Sequence, residues 1–258
     1  MDALQAGLAL ASGSLVGFTL GLVGGGGSVL AVPLLVYLVG ITNPHVAIGT
    51  SAVAVAANAF LNLLNHGRKG NVKWRCAAVF TLAGVLGAVV GAWFGRQVDG
   101  DKLLAMFAVL MMVVGGLMLR NRNGEGLPHV TLGRDNFPKL VGFGLATGLL
   151  SGFFGIGGGF LIVPGLIAAT GMPITNAMAS SLLAVTGFGL TTSASYASAG
   201  LVNWAVAGVF IAGGFAGGLV GTRVAQRVGK RRGALNVLFA GLIFTVAAYV
   251  LARTLLSL

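Results

Sequence analysis

The chain has 258 residues, of which 56% are hydrophobic and only 8% charged, and its formal net charge is +11. A mean hydropathy of +0.95 leaves too few polar side chains to cover a water-soluble core, which argues against any soluble globular class. Nor does the positive charge indicate nucleic acid, because the basic residues sit at the ends of apolar segments and form no stripe interleaved with aromatics.

The chain opens Met1-Asp2-Ala3-Leu4 with no basic stretch, so the first apolar segment is expected to persist in the mature protein. Apolar elements then follow at about 4–23, 28–40, 44–65, 76–95 and 103–119. A second series occupies about 140–155, 159–171, 175–197, 205–222 and 234–252. Several charge-free runs, among them Cys76–Gly95 and Ala234–Leu251, are long enough to cross the ~30 Å of a bilayer's hydrocarbon. The second element of each series, about a dozen residues, is too short to cross alone at ~1.5 Å per residue. The first two elements of each series form either a re-entrant hairpin or two spans, and both leave the chain on the same side. The fold class is therefore an all-α polytopic membrane protein. Residues 1–120 form one half, 140–258 the other, and the polar stretch 121–139 a cytoplasmic linker.

The two series are copies of one pattern. Residues 17–33 match 148–164 at eight of seventeen positions, including Gly17, Gly21, Gly24, Gly26, Gly27, Leu30, Val32 and Pro33. After a one-residue slip, Gly70, Val72 and Trp74 face Gly200, Val202 and Trp204, and Gly84, Gly87 and Gly91 face Gly214, Gly217 and Gly221. Internal repeats of this kind are common in transporters.

Basic residues orient the halves. Arg68, Lys69, Lys73 and Arg75 follow the third element, Arg96 and Lys102 the fourth, and Arg120, Arg122, Arg134 and Lys139 surround the linker. In the second half nothing basic lies at 198–203, whereas Arg223, Arg227, Lys230, Arg231 and Arg232 follow its fourth element, and Arg253 lies near the end. Opposite orientations of the halves place thirteen basic residues inside and three outside; like orientations give nine against seven. The positive-inside rule thus predicts inverted repeats with both termini outside. Trp74 and Trp204 are expected as interfacial anchors at opposite faces.

Candidate binding groups fall in two places. Gly24, Gly25, Gly26, Gly27 and Ser28, with Gly155, Gly157, Gly158 and Gly159, interrupt apolar segments, and broken backbone within a membrane is tolerated only where protein or a watery cavity satisfies it. Helices restarting near Ser28 and Gly159 would offer amides and a partial positive charge to an anion. Tight helix packing is the plainer reading of these glycines. The third elements carry Ser51, Asn58, Asn62 and Asn65 on one face, and Ser181, Thr192 and Ser195 on one face of the second copy, suited to hydrogen-bonding an oxyanion without full charge. Thr50 and Ser51, with Ser180 and Ser181, are expected closer to the helix starts and the Gly loops. Ordinary interhelical hydrogen bonding is the alternative there. Asn65 falls near the cytoplasmic end.

The five acids, Asp2, Asp99, Asp101, Glu125 and Asp135, all lie at a terminus or in loops, so an acid-based proton relay is not expected. His45, His66 and His129 are scattered, the first read as a cap or interface residue and the second as a solvated loop residue. A lone cysteine, Cys76, allows no internal disulfide. Neither a metal, a cofactor nor enzymatic chemistry is expected.

The duplicated Gly-x-Gly-Gly…Pro segment, Ala47-Ile-Gly-Thr-Ser51 with Ala177-Met-Ala-Ser-Ser181, and Gly70-Asn-Val-Lys-Trp74 with Gly200-Leu-Val-Asn-Trp204 resemble the TauE/SafE sulfite-exporter family across about residues 17–251. The resemblance implies a bacterial cytoplasmic-membrane transporter that exports sulfite or a related sulfonate or organic anion by alternating access. It places the family's glycines on the two Gly clusters and its small-hydroxyl motif on Thr50-Ser51 and Ser180-Ser181. Ile156 replaces Gly25 in the second copy, so the two loops are not equivalent. A cation carrier or channel using the Gly-loop carbonyls and a non-transporting scaffold subunit remain the competing readings. The expected partners are a small anion and the lipid bilayer. Gly-rich faces serve internal and intersubunit packing alike, which leaves homo-oligomers open.

Overall fold

A computed structural model describes residues 2–68, 70–120, 130–155, 159–228, 241 and 243–248. Among them every regular element is helical: α1 (Ala3–Val23), a 3₁₀ turn (Gly24–Leu30), α2 (Ala31–Tyr37), α3 (Pro44–Gly67), α4 (Trp74–Gly95) and α5 (Gly100–Arg120), then α6 (Phe137–Phe154), α7 (Gly159–Thr170), α8 (Ile174–Ser198) and α9 (Trp204–Val228). Residues 243–248 are helical within the run expected at 234–252, the rest of which, like 121–129 of the linker, lies outside the described residues apart from residue 241. Six of the helices are long and apolar enough to cross a membrane.

Local sequence accounts for the helix ends. Asn43 caps α3, its side chain accepting from the His45 N–H at 2.9 Å, and Pro44 occupies the first turn, where its missing N–H costs nothing. α1 and α6 stop at matching glycines, Gly24 (φ +69°) and Gly155 (φ +67°), in a backbone region where a side chain is strained. The α-helix expected to restart near Ser28 begins three residues on, at Ala31. Ser28 Oγ donates to the Gly25 carbonyl at 2.9 Å and the Ala31 N–H bonds to the Ser28 carbonyl, so the chain winds tightly as 3₁₀ and α2 begins only at Ala31.

Glycine faces decide the packing. Gly13, Gly17 and Gly21 of α1 lie on the backbone of Phe210, Gly214 and Gly218 in α9. Their counterparts Gly144, Gly148 and Gly152 of α6 lie on Phe80, Gly84 and Ala88 in α4. In both pairs the contacts advance together, so the helices run parallel. Each half therefore lends its first helix to the fourth helix of the other. At the centre, Gly49 abuts Tyr196 and Leu201, whereas Gly189 abuts Ala52 and Ala56, so the equivalent helices α3 and α8 run antiparallel. α3 also packs on α9, and α8 on α4.

α4 exposes Leu82, Leu86, Val89 and Trp93, with Leu82 70% and Leu86 66% accessible. At spacings of four, three and four these form one apolar stripe, a lipid-facing surface. The chain is a multi-pass membrane protein.

The bundle has two distinct ends. At one, the start of α5 meets the start of α3 (Gly100 on Pro44), and the Asn203 N–H donates to Thr50 Oγ1 at 2.9 Å. At the other, the Lys73 N–H donates to Ser180 Oγ at 2.9 Å, and His66 Nε2 lies 3.4 Å from the Gly21 carbonyl oxygen. His66 is thus not a solvated loop residue; α3 extends two residues past the expected 65 and half-buries the ring against α1. Trp74 and Trp204 are both exposed, at the starts of α4 and α9 and so at opposite ends.

Candidate functional site

The two interrupted helices meet backbone to backbone. Gly25 lies against Gly159, and a Cβ placed on Gly25 would stand 3.0 Å from Gly159 Cα and 2.6 Å from a methyl of Val185. Such closeness is open only to glycine. Ser181 joins the crossing from α8: its Oγ accepts the Gly25 N–H at 3.0 Å and donates to the Met178 carbonyl at 2.7 Å. Ser28 is fully buried beside it. Gly24, Gly25, Ser28, Gly159 and Ser181 are therefore brought together. The side-chain environment of Gly26 and Gly27 is not described, and Gly157 and Gly158 lie outside the described residues. Gly155 stands apart, against Ile48 at the start of α3, and Ser51 Oγ donates to the Ile48 carbonyl at 2.8 Å.

A second polar group lies where α3 crosses α9. Asn58 has no exposed surface, and neither its Nδ2 nor its Oδ1 finds a partner in the protein. One turn on, Asn62 Nδ2 donates to the Asn58 carbonyl at 2.9 Å, and Asn62 Oδ1 accepts from Thr222 Oγ1 at 3.1 Å. Gly214 and Gly218 of α9 make room for the two amides. Thr192, the repeat counterpart of Asn62, is likewise buried with an unpartnered hydroxyl.

Thr50 and Ser180 lie elsewhere. Each fully buried hydroxyl accepts the N–H of the residue preceding a helix-start tryptophan in the other half, tying 203 to α3 and 73 to α8. Thr222 and Gly218 belong with the asparagines, although the sequence reading did not single them out. Their signal was the four-residue spacing of Gly214, Gly218 and Thr222, a small-residue face on α9. A cavity of ≈310 Å³ lined by Val72, Lys73, Trp74, Arg75, Cys76 and residues 130–132 opens at the Lys73 end and includes none of the expected residues.

The chain matches the sulfite exporter TauE/SafE family over residues 9–250. It belongs to that family. Among similar proteins, a probable membrane transporter of Xylella fastidiosa (strain Temecula1) is 53% identical over 251 residues, 96% of either chain. The probable membrane transporter YunE of Bacillus subtilis is 27% identical over 223 residues, covering 78% of this chain and 81% of its own. The probable membrane transporter MJ0441 of Methanocaldococcus jannaschii is 27% identical over 180 residues, 65% of each. No solved structure matches the chain. This member of the TauE/SafE family is thus a membrane protein of a transporter family, with broken helices meeting beside the buried hydroxyls of Ser28 and Ser181.

Proposed function

We propose that this chain exports a small oxyanion, sulfite or a related sulfonate or organic anion, across the bacterial cytoplasmic membrane. The observation that carries the reading is the Gly25–Gly159 crossing beside Ser181. Interrupted helices that meet inside an apolar bundle are the usual construction of a transport site. The side chains nearby that carry polarity, Ser28 and Ser181, are neutral, which suits a substrate that arrives with its own charge. A cation would want a compensating carboxylate, and the five acids of the chain all lie at a terminus or in loops.

Residues 1–120 and 140–258 act as inverted repeats joined by the cytoplasmic linker 121–139, with both termini outside. The antiparallel course of α3 and α8 supports this, as does charge. Arg68, Lys73, Arg75, Arg134, Lys139, Arg223 and Arg227 gather at the Lys73 end, against Arg96 and Lys102 at the other. Because α1 packs on α9 and α6 on α4, the bodies that rock in alternating access are mixed: α1, α3 and α9 against α4, α6 and α8. Glycine, serine, threonine and asparagine residues of both copies (Gly24–Ser28, Gly155, Gly157–Gly159, Thr50, Ser51, Asn58, Asn62, Ser180, Ser181 and Thr192) serve the path.

Expelling one negative charge from a negative interior gains ~2.3 kcal/mol per 100 mV, so no coupled ion is required. In proteoliposomes without a cation gradient, sulfite efflux should accelerate when the outside is made positive. Flux indifferent to voltage would overturn electrogenic uniport. Thermal shift across a panel of small anions identifies the substrate.

A further inference from the structure

We propose that Arg96, Tyr196 and His45 form a second, separate binding site for a small oxyanion at the Thr50 end of the bundle. It rests on the anion reading above and adds a station on the exit side of the path.

Arg96 directly follows α4, and its Nη1 donates to the Ser195 carbonyl at 3.0 Å, which fixes the guanidinium against the last turn of α8. Its Nε is buried and finds no partner in the protein. Tyr196, the next residue along α8, has no exposed surface at all, yet its hydroxyl is also unpartnered. From the start of α3, the His45 ring sits 6.2 Å from the Tyr196 ring, and its Nδ1 is a third buried atom without a partner. Three helix ends thus bring together three unsatisfied polar groups.

Each such group costs about 1–3 kcal/mol when buried unpaired, and more when charged, a cost that a bound oxyanion would offset. The guanidinium and phenol are hydrogen donors, and a neutral imidazole can donate one more. Asp99, the nearby acid, is turned to the start of α5, where its carboxylate accepts the Lys102 N–H at 3.2 Å. A donor-rich site with a fixed positive charge selects an acceptor-only anion, and a planar guanidinium suits an oxyanion best. Arg96 and His45 are half-buried, so part of each side chain reaches the surface beside the buried Tyr196.

The repeat places Gln226 at the position of Arg96 and His66 at that of Tyr196, so the sequence does not repeat this pair in the other half.

The test is exchange of sulfite in proteoliposomes, with its concentration varied on one face at a time. Arg96→Gln should raise the half-saturating concentration about tenfold on the Thr50 face and leave the opposite face within about twofold. Tyr196→Phe, which keeps the ring and its packing, should raise it about threefold on the same face. Arg96→Lys, retaining charge without the fork, should fall between wild type and Arg96→Gln. An unchanged value in monodisperse Arg96→Gln and Tyr196→Phe proteins, or equal changes on both faces, overturns the second site and leaves the transport reading intact. Absence of anion flux in the wild type sinks the transport reading and this site with it.

Discussion

Asn58 rests against Gly214 where α3 crosses α9, and at the equivalent place Phe188 rests against Gly84 where α8 crosses α4. The notches match; their contents do not. Phe188 is fully buried and stacks on Phe80 with ring centroids 6.4 Å apart. Asn58 is equally buried, but its amide has no partner, a cost of about 1–3 kcal/mol that apolar packing would avoid. The duplicated backbone is a shared frame, and the two copies have divided the work inside it. One crossing is sealed by an aromatic plug; the other keeps polarity at the expense of stability.

Breaking the shared frame should have the largest effect. A Cβ at Gly17 would fall on the Gly214 backbone and one at Gly148 on the Gly84 backbone. Gly17→Val and Gly148→Val should therefore both abolish monodisperse protein on size-exclusion chromatography, to similar degrees. The next contrast is between the contents. Phe188→Ala should cost about 3–5 kcal/mol of stability in detergent unfolding. Asn58→Leu should instead raise the melting temperature, because it removes the unpaired amide, while cutting sulfite flux at least about tenfold. If Asn58→Leu transports normally, the polar crossing has no part in transport. A smaller effect is expected one turn away, where Thr222→Val removes the bond to Asn62 and should cost about 1 kcal/mol. The smallest contrast should vanish: Thr50→Val and Ser180→Ala each remove one loop tie and should destabilise equally, by about 1 kcal/mol.

Much of the fold was legible in the sequence because lipid imposes simple rules. Helix bounds such as 44–65 against the observed Pro44–Gly67 followed from apolar runs between polar breaks. Glycine spacing announced close helix contact, but not the partner. Nothing in one strand of letters says that Gly17 faces Gly214 across the chain when Gly84, in its own half, presents the same surface. The 3₁₀ turn at Gly24–Leu30 escaped for a similar reason, since it depends on where the Ser28 hydroxyl points. At the site, the hydroxyl and amide positions could be chosen by type, yet their division of labour could not. Ser181 reaches a Gly loop and Ser180 ties a distant loop, although the two are neighbours. Arg96 and Tyr196 were passed over because a lone arginine at a helix end reads as a topology signal until its burial is known.

The exchange of first helices between halves also bears on how the molecule is made. α1 is made before α9, the helix that covers its glycine face, with α2 to α8 translated between them. Until then Gly13, Gly17 and Gly21 face lipid or whatever helix is at hand. Assembly therefore closes late, and a chain truncated ahead of residue 204 would leave its earliest helix without a mate, an open invitation to quality-control proteases.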